Sequence, residues 1–194
     1  MTSSVQPGKP STGTADRGPR VLVAGVGNMF LRDDGFGPEV ARRLAATIDP
    51  AAPGVLAVDY GIRGMHLAYD LLAGVDVLVL VDTVPPRPDP DPGAGPNPSA
   101  GAGPDSGAAP GRIRILRVRP EDLDGAASLD PHGMDPAAVL GRLRSLGGEL
   151  PLIYVVGCVP ADLTEGIGLT GPVAEAVPRA LAAVEQLIAQ HPPV

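Results

Sequence analysis

Three side chains of this sequence have the chemistry to work as a set. Asp34 stands in an acidic loop, GNMFLRDDGFG, at residues 27–37. Asp82 closes the apolar run VDVLVLVDTV at residues 75–84, and His132 lies in DPHGM, just ahead of a helical stretch. Two carboxylates and an imidazole suit borderline divalent ions such as nickel or zinc. Three protein ligands also leave coordination positions open, as a reactive or sensing site requires. The three residues are far apart in sequence, so the fold has to bring them together.

Each of these residues also has a plainer reading. Acids at a helix N-terminus gain from the helix dipole and from capping free N–H groups. Asp33 fits that role better than Asp34, as a solvated residue that caps the helix entry and braces the loop. Asp82 alone would be a turn residue, although a charge leaving the core at a strand end is costly unless paired or metal-bound. His132 alone would be a surface histidine beside a helix. His66, within a helix, and His191, near the C-terminus, carry no expected role. Cys158 falls in an apolar strand and reads as a small core residue. The loop opens as G-V-G-N-M-F, which resembles a dinucleotide fingerprint. Phe30 occupies the third glycine position, however, and the acid after the second strand, Asp59, comes too late for ribose recognition. Paired aspartates where a pyrophosphate would sit weigh against it further.

The elements that must position these residues alternate. RVLVAGV (20–26), VLAVDY (55–60), VDVLVLVDTV (75–84) and LPLIYVVGCV (150–159) read as strands, the third being the most apolar. RIRILRV (112–118) alternates charged and apolar residues, as an edge strand should, and is the candidate for an antiparallel edge. Helices are expected over 37–48, 65–73, 135–147 and 171–190, with Gly74 stopping the second and Pro178 expected to kink the last or mark a first-turn boundary. The pattern predicts an α/β fold, a three-layer sandwich with a twisted, mainly parallel five-stranded sheet and helices on both faces. In such sheets function gathers at the carboxyl ends of the strands, where Asp34, Asp59, Asp82 and the segment before the third helix are expected.

Residues 20–190 are therefore expected to form one domain. Residues 1–19 read as a disordered tail, and the low-complexity stretch 85–111 reads as a flexible insert within the domain. The chain has 194 residues with 26 Gly, 24 Pro and no Trp, so its core must be built from Val, Leu, Ile and Ala. A net charge of −7 and a pI near 4.8 argue against a nucleic-acid partner, which would require a basic face. No apolar run approaches a membrane span, the N-terminus lacks a secretory signal, and a single cysteine excludes an internal disulfide framework. These features point to the cytoplasm and to no membrane partner.

The segment GVGNMFLRDDGFGPEVARRL resembles the N-terminal signature of the hydrogenase maturation endopeptidases. The resemblance runs from about residue 20 to 190, skipping the insert, through VLVLVDTV, DPHGM and VVGCVPADLTEGIGLTGPV in the family's order. It implies the family's activity, removal of a C-terminal peptide from the large subunit of a nickel–iron hydrogenase once nickel is in place. It also implies a twisted sheet between helices and suggests a monomer. The family's nickel-reading residues fall on Asp34, Asp82 and His132, the positions that the strand-end argument selects. Asp34 stands where many relatives have Glu, which shortens the ligand. The Gly-Thr turn usual after the second strand is replaced here by Asp59-Tyr60-Gly61, which puts a threonine role there in doubt.

The resulting expectation is a nickel-dependent endopeptidase whose metal arrives with its substrate, the hydrogenase large-subunit precursor. Asp34, Asp82 and His132 would act as both metal ligands and catalytic residues. Nickel could polarise the carbonyl or activate water, or a carboxylate could serve as general base. No G-x-S-x-G or Cys–His arrangement supports a covalent route. Two rivals stand beside this reading: a non-catalytic nickel-checkpoint module that binds the precursor, and an unrelated α/β hydrolase acting on a small molecule.

Overall fold

In the computed structural model, which describes residues 20–48, 54–86, 109–119 and 136–192, a single sheet organises the chain. Its strands are β1 (Val21–Val26), β2 (Val55–Gly61), β3 (Val77–Thr83), β4 (Ile113–Val118) and β5 (Leu152–Cys158). They lie in the order β2-β1-β3-β5-β4. All neighbours are parallel except β4, which runs antiparallel to β5 at one edge. The four helices are α1 (Phe36–Ala45), α2 (Gly64–Leu72), α3 (Pro136–Ser145) and α4 (Gly171–Gln190), and a 3-10 turn at Arg32–Gly35 precedes α1. The expected tail at 1–19 lies outside the described residues, as does nearly all of the insert. The last three residues of that insert, 109–111, are held: Gly111 is buried, and its N–H donates to the carbonyl of Val159.

The alternation of side chains along the central strands divides the core in two. On β1 and β3, Val21, Val23, Val77, Val79 and Val81 face α1 and α4, where they meet Phe36, Val40, Leu44, Val177 and Val184. Leu22, Leu78 and Leu80 face the other way, against Leu67 and Leu71 of α2 and Leu140 and Leu143 of α3. This is the three-layer arrangement expected of near-continuous apolar strands covered on both faces. β4 alternates between half-buried and exposed positions, as its sequence predicts for an edge. Gly74 and Gly147 end α2 and α3 with φ of 87° and 82°, a left-handed conformation that favours glycine.

Pro178 is the eighth residue of α4, so it marks no first-turn boundary, and α4 runs through it from Gly171 to Gln190. Although α4 has 20 residues, no helix among the described residues is long and apolar enough to cross a membrane.

Glycine at two positions sets how closely α1 approaches the sheet. A side chain on Gly37 would overlap the carbonyl oxygens of Val26 and Val81, the last turns of β1 and β3. One on Gly25 would overlap the carbonyl of Gly37 and the methyl group of Ala41. The first turn of α1 therefore rests directly on the carboxyl ends of the two central strands, next to the acidic loop. Gly37→Ala is expected to destabilise the fold by about 2–3 kcal/mol, because its methyl group meets backbone that cannot turn aside. Gly141, inside α3 with open space around it, is the control: Gly141→Ala should stabilise by about 0.5–1 kcal/mol. Denaturant melts of both variants against the wild type measure the two effects. Equal effects would refute the close-packing account.

Candidate active site at the carboxyl edge of the sheet

The acidic loop is held from two sides. Its N–H and carbonyl groups bond to the segment between β5 and α4. Leu31 forms a parallel bridge with Gly166, the N–H of Gly166 donates to the carbonyl of Phe30 at 2.8 Å, and that of Arg32 donates to the carbonyl of Gly166 at 3.1 Å. Arg32 adopts a φ of 49°, a left-handed conformation that costs a non-glycine residue about 1–2 kcal/mol. Its Nε lies 3.2 Å from a carboxylate oxygen of Asp162. On the other side, the N–H of Gly27 donates to the carbonyl of Gly61, which joins the loop to the end of β2.

The two adjacent aspartates have opposite environments. Asp33 is fully buried, so it is not a solvated helix entry. Neither the 3-10 turn nor α1 has a side-chain cap. Instead, Asp33 Oδ2 accepts from the N–H groups of Ala161 and Asp162 at 2.8 and 2.9 Å and from the hydroxyl of Thr170 at 2.9 Å. Its Oδ1 accepts from the N–H of Thr170 at 2.7 Å. Thr170 is the N-cap residue of α4, so the carboxylate sits at the positive end of a 20-residue helix. The expected bracing role holds, but the brace reaches across the fold instead of capping its own helix. The interaction missed by sequence reasoning was foreshadowed by the late segment VPADLTEGIGLT, which contains every donor to this carboxylate.

Asp34 faces the sheet edge and is half-buried. Its Oδ2 accepts from the N–H of Asn28 at 2.7 Å and its Oδ1 from the hydroxyl of Thr83 at 3.2 Å. Thr83 also donates its N–H to Asp82 Oδ1 at 2.7 Å. One threonine at the end of β3 therefore contacts both candidate carboxylates, Asp34 from the 3-10 turn and Asp82 from β3 itself. Thr83 is a second residue that sequence reasoning did not single out. His132 lies outside the described residues. Among the described residues, no group of three or more His, Cys, Asp and Glu side chains is placed to hold a metal ion. Of the three expected ligands, Asp34 and Asp82 lie among the described residues and both contact Thr83.

The turn after β2 supports the edge. Tyr60, which replaces part of the expected Gly-Thr turn, is buried against α2, and its hydroxyl donates to Asp70 at 2.6 Å. Burial raises the pKa of this phenol, and its bond to the Asp70 carboxylate raises it further. Arg63 donates to the carbonyls of Asp59 and Tyr60 and closes the turn. Asp59 itself is exposed.

Cys158 pairs with Thr83 across β3 and β5 and is fully buried. Burial pushes its thiol up to about 12, the Asp33 charge adds to the shift, and Arg179 opposes it. A thiol held neutral is no nucleophile, so the reading of Cys158 as a core residue stands.

A model of the hydrogenase maturation protease family (HycI) matches residues 105–187. The Hydrogenase 2 maturation protease of Escherichia coli (strain K12) is 31% identical over 171 residues, covering 88% of this chain and 89% of its own length. The chain belongs to the hydrogenase maturation proteases. Solved structures agree. The E. coli hydrogenase maturating endopeptidase HybD superposes with a TM-score of 0.69 at 28% identity, covering 90% of this chain and 94% of that one. A hydrogenase 2 maturation peptidase from Thaumarchaeota archaeon SCGC_AB-539-E09 gives a TM-score of 0.58 at 28% identity, covering 88% and 98%. The protease is thus a peptide-bond hydrolase, which sets aside the rival readings of a non-catalytic module and a small-molecule hydrolase.

Two outcomes follow from this geometry. Asp33→Ala strips four donors of their acceptor in the interior and should lower the stability of the protease by about 3–5 kcal/mol in chemical denaturation. A loss below 1 kcal/mol would refute the bracing role. Cys158 should resist a thiol reagent at pH 8 in the native protease and react with one equivalent after unfolding. Because its folded pKa is raised, its contribution to stability is complete below its ordinary value of 9.0 and is lost as pH rises towards about 12. Melting temperature against pH checks this, with Cys158→Ala expected to flatten the alkaline decline.

Proposed function

We propose that the protease removes the C-terminal peptide of a nickel–iron hydrogenase large subunit after nickel insertion, and that it reads the nickel carried by that substrate through Asp34, Asp82 and His132. The observation that carries this reading is the pair of carboxylates at the carboxyl edge of β1 and β3, both tied to Thr83 and neither enclosed in the core. The donor chemistry fits. Each oxygen of Asp34 already accepts one hydrogen bond and retains a lone pair, and carboxylate oxygen with imidazole suits nickel. Asp34, fixed by Asn28 and Thr83, is presented to the incoming substrate in one orientation.

In this reading the substrate's nickel supplies Lewis acidity near the scissile bond. Asp34 and Asp82 orient the precursor by holding its metal, and an oxygen of either carboxylate that is not bound to the metal would accept a proton from the attacking water. His132 completes the set. The one thiol is buried and neutral, so no acyl-enzyme forms on it, and the reading is of a direct hydrolysis. The protease acts as a monomer in the cytoplasm on a metallated precursor.

Asp34→Ala tests the reading. The variant should fold, because Asp34 is half-buried and accepts only two hydrogen bonds, yet it should process nickel-loaded precursor at least about a hundredfold more slowly. Mass spectrometry of the precursor's C-terminus, with circular dichroism of the variant as a fold control, provides the measurement. Normal trimming by folded Asp34→Ala protein would overturn the proposal, as would trimming of a nickel-free precursor at the same rate.

A further inference from the structure

Beside the carboxylates, the same two loops display an apolar surface that the hydrolytic chemistry does not use. Met29, Phe30, Leu163 and Ile167 are 55%, 61%, 48% and 75% exposed. They lie on segments 28–35 and 160–170, which the Leu31–Gly166 bridge and the Asp33 carboxylate lock together. A cavity of about 350 Å³ opens between these segments, with Met29, Ile167 and Leu169 among its walls and Arg32, Glu39 and Arg43 around it. The backbone beneath the exposed side chains is fixed: Phe30 donates its N–H to the side chain of Asn28 and accepts from Gly166. Large apolar side chains displayed from a braced backbone have much of their ordering cost met before any partner arrives.

The charges around the cavity narrow the partner. Glu39 takes hydrogen bonds from both Arg42 and Arg43 at 2.7–3.1 Å. Arg32 lies against Asp162. Of the charged side chains that line the cavity, Arg32 and Arg43 are positive and Glu39 is negative, which leaves one positive charge in excess on a chain whose net charge is −7. An apolar pocket with a locally positive rim suits a segment that carries a large apolar side chain next to an acidic one. The cavity also shares Met29, Arg32 and Gly35 with the loop that carries Asp34, so a segment seated there is tethered within a few residues of the proposed ligand.

We infer that the surface formed by Met29, Phe30, Leu163 and Ile167, with its arginine rim, docks an apolar and acidic segment of the hydrogenase precursor and thereby determines which precursor is trimmed. This inference rests on the proposed function, and it adds a binding element separate from the metal-reading carboxylates. The surface contributes to capture of the precursor and not to the hydrolytic step.

The test uses purified full-length protease and purified nickel-loaded precursor, with binding measured by titration and trimming by mass spectrometry. Ile167→Asp and Met29→Asp alter exposed positions, and Leu146→Asp, on the turn after α3 and 48% exposed, is the control. The first two should weaken precursor binding and raise KM about tenfold or more, with kcat within about twofold, and the control should change neither. Arg43→Glu should also weaken binding and reduce its dependence on salt. Unchanged binding and KM in Ile167→Asp and Met29→Asp, with an active wild type, would overturn the docking inference and leave the proposed function standing. A wild type that binds the precursor but never trims it would overturn the proposed function, while weaker binding by the two variants would still uphold the docking surface. If the substitutions alter the oligomeric state in size-exclusion chromatography and not precursor binding, a second copy of this chain occupies the surface and the inference fails.

Discussion

The buried carboxylate of Asp33 is the interaction on which the site depends. A charge without solvent is costly unless its lone pairs are filled. Here three backbone N–H groups and one hydroxyl fill them, all from the segment that follows β5. The N-terminus of α4 contributes a favourable field at the same point. One consequence is mechanical. The loop after β1 and the loop after β5 belong to strands separated by β3, yet they behave as one body. The left-handed backbone at Arg32 persists because residues on both sides of it are pinned. Asp34, the next residue but one, is thereby turned away from the interior and towards Thr83.

A second constraint comes from the glycines under the loop. Helix α1 begins immediately after the 3-10 turn, and its first residues press on the carbonyl ends of β1 and β3. Any Cβ at Gly37 would move the helix start outward and take the loop with it. The sheet is therefore tight where α1 begins, and a cavity opens beside it between the two loops. That arrangement separates two kinds of surface: polar groups fixed by hydrogen bonds over the strand ends, and apolar groups displayed by a braced backbone beside them.

Most of the architecture was legible in the sequence because it follows from periodicity. Continuous Val and Leu runs marked buried parallel strands, and the charged–apolar alternation of residues 112–118 marked the antiparallel edge. Glycines in left-handed conformation ended α2 and α3 where the pattern placed them. Asp34 and Asp82 were singled out because strand ends gather function in such sheets, and both do contact Thr83 at the end of β3. The role of Asp33 was not. Its donors stand 128–137 residues away, and a local pattern of two acids before a helix reads first as capping. Thr83 was hidden for a related reason, since a hydroxyl that follows an aspartate at a strand end gives no sign of which residues it will touch. α4 runs through Pro178 because the helix is held by Val173, Ala176, Val177, Ala180 and Val184 packing on the sheet. Burial along that face outweighs a single lost hydrogen bond.

Two neighbouring acids with different tasks also constrain how the chemistry should be read. Had Asp33 and Asp34 both faced solvent, they would repel each other and share any cation between them. With Asp33 satisfied in the interior, only Asp34 of the pair is turned towards Thr83 at the end of β3, beside Asp82. Asp34 sits on the 3-10 turn and Asp82 on β3, and Thr83 bonds to both residues. The braced loop, through the bonds of Asp34 to Asn28 and Thr83, therefore holds the two groups in a fixed relation. A rigid spacing of this kind suits recognition of an ion delivered in a fixed coordination shell, because the two oxygens must meet ligands already arranged by another protein. Large loop movements would serve that purpose poorly, and the buried brace at Asp33 opposes them.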